Sequence, residues 1–93
     1  MNSHFFKEEK GMQIINKTKY PLKILGETLR PNMSRNYEMK SFDSLHISCQ
    51  IGRCVVVTEH GKRRFRSHGR LEAREGRKRD DDGFKVIIIS TRN

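Results

Sequence analysis

Residues 45–58 read LHISCQIGRCVVVT, and the alternation inside this stretch decides the fold class. Leu45, Ile47 and Cys49 fall on one side of an extended chain, with His46 and Ser48 on the other, the period of a strand rather than a helix. The reversal Gln50-Ile51-Gly52-Arg53 follows, with Gly52 able to take positive φ at the turn. Cys54 to Thr58 then holds three consecutive valines, so both faces of that strand are expected to be covered.

Working outward, the same period recurs on both sides. Met12 to Asn16 alternates as a first strand. Leu22 and Ile24 alternate with Lys23 and Leu25 in a second, after Pro21 and before Gly26. Residues 27–34 read as a loop anchored by Leu29, and residues 35–39 as a strand with Tyr37 inward. A single helical turn fits residues 40–44. Beyond the valines, residues 63–67 and 70–75 form the two arms of an expected hairpin around His68-Gly69, with Leu71 and Ala73 inward and Arg70, Glu72 and Arg74 outward. Residues 76–83 read as a charged loop. FKVIIIS at 84–90 is the second dense apolar run and the expected central partner of residues 54–58.

Turn signals roughly every 8–12 residues and no helical periodicity indicate an all-β fold. The expected architecture is a small β-sandwich or partly open β-barrel of about 6–8 short antiparallel strands. The chain has 93 residues, enough for one domain. Residues 1–11 read as a flexible N-terminal tail and 12–93 as a single all-β domain. Phe5 and Phe6 offer the tail an alternative role as a pin on the body.

Charge is the other dominant feature. The formal net charge is +9. In residues 60–79, HGKRRFRSHGRLEAREGRKR, nine cations stand against only Glu72 and Glu75, leaving +7. No core can bury so many guanidinium groups unpaired, so they belong on a surface that attracts polyanions. The expected contact residues are Lys62, Arg63, Arg64, Arg66, Arg70, Arg74, Arg77, Lys78 and Arg79. Phe65 sits among them, read as a core anchor or as a stacking platform for a base. Gly61 and Gly69 add backbone N–H groups as weak anion contacts.

Other constellations carry less. Cys49 and Cys54 lie symmetrically about Ile51-Gly52, and a two-residue turn there places them directly opposite each other. Two thiols, a disulfide, or a zinc site with His46 and His60 are the three chemistries open to them. His60 and His68 beside an arginine resemble a ribonuclease constellation in residue type only, and the chain is not expected to be an enzyme. Asp80, Asp81 and Asp82 are consecutive, unlike the alternate ligands of a calcium loop. No metal or cofactor is expected. The sequons at Asn16 and Asn32 are read as chance matches.

No apolar run approaches the about 18 residues of a membrane span, and the first residues lack an export signal, so a cytoplasmic protein without membrane contact is expected. In composition the chain resembles the small basic accessory proteins of phages, a likeness that identifies no residue. The functional expectation is a nucleic-acid-binding protein, RNA or single strands slightly preferred over duplex DNA, that grips phosphates through residues 60–79. The alternative is an inhibitor or adaptor, phage-encoded on the strength of that likeness, whose basic face binds an acidic protein surface. An exposed edge strand would also permit a homodimer.

Overall fold

The computed structural model describes residues 11–38, 44–59, 62–79 and 83–92, with residues 58, 59, 62, 63 and 77–79 described by backbone alone. Among the described residues nine strands form in chain order: β1 (Gly11–Asn16), β2 (Leu22–Ile24), β3 (Glu27–Leu29), β4 (Ser34–Glu38), β5 (Ser44–Cys49), β6 (Gly52–Glu59), β7 (Lys62–Gly69), β8 (Leu71–Arg79) and β9 (Lys85–Thr91). They make two sheets, one ordered β4-β1-β9-β8 and the other β3-β2-β5-β6-β7. The all-β expectation holds, and the two sheets pack as a small sandwich.

The alternation of the sequence explains the layering. Met12, Ile14, Tyr37, Leu71, Ile87 and Ile89 project from the first sheet onto Leu22, Ile24, Leu29, Leu45, Ile47, Cys54 and Val56 of the second, and all join one buried cluster. Burying aliphatic side chains on this scale supplies the driving force, at about 25 cal/mol per Å² of apolar surface removed from water. The Tyr37 hydroxyl has no hydrogen-bond partner among the described residues. Burial pushes this phenol up from its ordinary value, while the nearby Arg35 cation opposes the shift.

Several expectations are corrected. FKVIIIS does not pair with residues 54–58. It forms the centre of the other sheet, antiparallel to β8 and parallel to β1, and the two apolar runs meet across the core. One pair is therefore parallel in a fold expected to be antiparallel throughout. The stretch read as a loop after Gly26 contains β3, in a tight hairpin with β2 that places Leu25 and Gly26 at positive φ. Gly11, expected in the tail, opens β1, and residues 76–79, expected in a loop, extend β8. Val55 and Val57 face outward, half-buried, so β6 is covered on one face only. Residues 1–10, 40–43 and 80–82 lie outside the described residues, with Phe5, Phe6 and the three aspartates.

The expected hairpin of residues 63–75 is absent. β7 pairs with β6 and β8 with β9, in opposite sheets. The chain changes sheets at Gly69, which has φ +82 and lies opposite Gly52, the first residue of β6. A Cβ on Gly52 would lie 2.5 Å from the His68 carbonyl oxygen and 2.9 Å from the Leu71 nitrogen; one on Gly69 would lie 2.5 Å from the Ile51 oxygen. Only glycine permits backbones to cross this closely. The crossing is held by Arg70 N–H donating to the Ile51 carbonyl at 3.0 Å and Arg92 N–H donating to the Arg70 carbonyl at 2.6 Å.

Asn16 stabilises the connections that leave β1. It is fully buried. Its Nδ2 donates to the carbonyls of Tyr20 (2.8 Å) and Leu29 (2.9 Å), while its Oδ1 accepts from the Thr18 amide (2.9 Å) and hydroxyl (2.6 Å). Its own N–H donates to Met33 O and its carbonyl accepts from Asn32 N–H. One amide side chain thus satisfies the turn after β1 and the end of β3, which a buried polar group requires. The sequon at this position is structural.

Two substitutions test these contacts. Asn16→Asp places a carboxylate against two carbonyls it cannot donate to, and is expected to cost about 3–5 kcal/mol, seen as a lower urea midpoint; a neutral outcome would discount the network. Gly52→Ala is expected to cost about 2–4 kcal/mol because backbone must move, against about 1 kcal/mol for Gly26→Ala at the solvent-facing turn.

Candidate nucleic-acid interface

The pairing of β5, β6 and β7 brings residues from distant parts of the sequence into cross-strand rows. Adjacent strands lie about 4.8 Å apart, and directly opposed residues point to the same side. On the outer face of the second sheet, one row runs Thr28, Lys23, Ser48, Arg53, His68. The next holds His46, Val55 and Arg66, and the third Ser44, Val57 and Arg64. The two valines make a half-buried apolar floor.

Lys23, Arg53, Arg64, Arg66 and His68 are all exposed. Among the described residues, no hydrogen bond or ion pair engages the four Lys and Arg side chains, and the charged side chains described on this face are cationic. The described ion pairs lie elsewhere. Arg35–Glu27 (2.6 Å) bridges β4 and β3 at the edge where the sheets meet, and Arg92–Glu72 (3.3 Å) and Lys85–Glu75 (3.9 Å) belong to the first sheet and its end. Long cationic side chains beside apolar surface can lay their stems on it while their heads stay in water.

This arrangement corrects the expectation of one platform built by residues 60–79. Arg64 and Arg66 project from the outer face of the second sheet. Arg74, opposite Ile88, projects from the outer face of the first, and Arg70 stands exposed at the corner between them. Lys62 and Arg63 begin β7, and Arg77, Lys78 and Arg79 end β8; their side chains lie outside the described residues. His60 and Gly61 lie outside as well. The coherent cluster instead recruits Lys23 and Arg53. Period two does place Arg53 with Val55 and Arg64 with Arg66; the β6–β7 pairing that unites them is the step the sequence conceals.

Phe65 packs against the core, so the anchor reading holds. It lies opposite Val56 on the inner side of the sheet. The cysteines do not face each other. The turn occupies Gln50 and Ile51, one residue earlier than expected, so Cys49 pairs with Gly52 and Cys54 with Ile47. Both are free thiols, Cys54 buried and Cys49 partly exposed. His46 points to the opposite side of the sheet from both, which removes it from any shared metal site with them. Burial pushes the Cys54 thiol up, partly offset by the Ser67 hydroxyl 3.8 Å away.

No protein-family model, curated protein or solved structure matches the chain. Among the described residues there is no helix long and apolar enough to cross a membrane.

The placement of the cysteines sets an expected reactivity. In the folded protein Cys49 should react with an aromatic disulfide reagent at least roughly tenfold faster than Cys54, and urea should make the rates converge. Two equally fast native thiols would contradict the register.

Proposed function

We propose that this chain is a small nucleic-acid-binding protein that takes RNA or single strands along the outer face of its second sheet. What supports this reading is the concentration there of Lys23, Arg53, Arg64 and Arg66, exposed and, among the described residues, without ion-pair partners. Such a surface attracts phosphates and releases their counterions. The outer face of a sheet accommodates an extended strand whose bases lie over the valines and the guanidinium planes. The roles are positioning and charge neutralisation.

The second reading is an adaptor for an acidic protein segment. It is favoured by one observation: β7 is an edge strand of eight residues, paired on one side only. An extended peptide could add to that edge. Capture of a defined protein that survives nuclease treatment would select this reading.

The primary test is salt-dependent binding of single-stranded oligonucleotides. With four cations engaged, log K should fall by about 3 per decade of salt. Arg64→Glu with Arg66→Glu should weaken binding roughly 20-fold at 0.1 M salt, without lowering the urea midpoint. Arg74→Glu, on the opposite face, should change it little. Binding indifferent to ionic strength would falsify the proposal.

A further inference from the structure

The end of this face nearest the sheet crossing holds a shallow depression of about 350 Å³, lined by Ser48, Cys49, Gly52, Arg53, His68 and Gly69. Ser48, Arg53 and His68 are consecutive members of one cross-strand row, on β5, β6 and β7. A hydroxyl, a guanidinium and an imidazole therefore stand side by side at about 4.8 Å spacing, with Lys23 next in the row beyond Ser48. The floor is glycine. The close crossing of Gly52 and Gly69 fixes this backbone, since a Cβ on either would meet backbone oxygens of the crossing at 2.5 Å. No carboxylate lines the depression.

From this geometry we infer that the depression is a binding site for a phosphate monoester, the group found at the terminus of a nucleic-acid strand or on a free nucleotide. A terminal phosphate presents three oxygens and close to two negative charges, where a backbone diester presents only two free oxygens and one charge. The donors match the former. Arg53 offers a planar fork for two oxygens, while His68 and Ser48 each offer a further donor. Position agrees with chemistry, since a strand lying over Arg64 and Arg66 along β7 arrives at this depression where the sheet ends. The role as an end-recognition site rests on the nucleic-acid reading above; the capacity to hold a phosphate monoester does not.

The experiment has two arms. In the first, oligonucleotides of one sequence carrying a 5′-phosphate, a 3′-phosphate or only hydroxyl ends are compared by fluorescence anisotropy at 0.1 M salt. One phosphorylated form should bind about fivefold or more tightly than the hydroxyl form. That ratio should fall to one in Arg53→Gln and in His68→Ala, whatever their absolute affinities, with a native amide spectrum confirming that each variant is folded. In the second arm, inorganic phosphate and a nucleoside monophosphate are titrated into labelled protein, and the Gly52, Gly69 and His68 amides should shift in a saturable way. Shifts with the monophosphate but equal affinity for all oligonucleotide ends support the site and assign it to free phosphomonoesters. If ends bind alike and these amides stay still while salt-dependent oligonucleotide binding persists, the site is overturned and the basic face stands. If no oligonucleotide binds yet the amides shift, the site stands and the nucleic-acid reading falls.

Discussion

The close approach of two backbones at Gly52 and Gly69 governs the rest of this structure. Carbonyl oxygens at Ile51 and His68 occupy the space where a Cβ would have to go. Because neither residue has one, β7 can finish against the start of β6 and the chain can pass at once into the other sheet. The Arg70 amide and carbonyl are spent on Ile51 and Arg92, so the crossing leaves these backbone groups satisfied. A side chain at either position would push the two strands apart and loosen the corner that joins the sheets.

That corner also decides the electrostatics. It directs β7 and β8 into different sheets, so a run of cations contiguous in sequence is divided between two outer faces. Repulsion within the run is relieved by this division. What remains on the second sheet is a smaller group joined by Lys23 and Arg53, which come from β2 and β6. Three of the described acidic residues, Glu27, Glu72 and Glu75, are each placed against a cation at an edge or end. Surface pairs of this kind contribute little stability. These three carboxylates lie away from the rows of Lys23, Arg53, Arg64 and Arg66.

Away from the corner, Asn16 performs by hydrogen bonding what the glycines perform by absence of bulk. The turn after β1, the end of β3 and the approach to β4 converge on its amide and backbone. The small sandwich therefore relies on polar and steric specificity at its connections and on an aliphatic cluster between its layers. A domain of this size has few apolar residues to spare, which accounts for Phe65 turning to the core rather than to the arginines around it.

Period-two alternation in residues 12–16 and 45–49, with the dense apolar run at 84–90, was sufficient to establish an all-β chain and to group Leu45 with Ile47 on one face, but four consecutive apolar residues at 86–89 do not say which of them turn inward. Alternation is a local steric property, so it is written locally. The β2–β3 hairpin was less legible, because Leu25 stands where Asn or Asp usually signals such a turn. Which strand lies beside which is a different kind of information. It depends on contacts between residues far apart in the chain, and two apolar runs such as CVVVT and FKVIIIS satisfy the local pattern equally well whether they pair edge to edge or meet across a core. The same holds for the cations. Their number was visible in the composition, but their grouping into rows with Lys23, Ser48 and His68 exists only once β2, β5, β6 and β7 are hydrogen-bonded in register, because a cross-strand neighbour is defined by the sheet and not by the sequence.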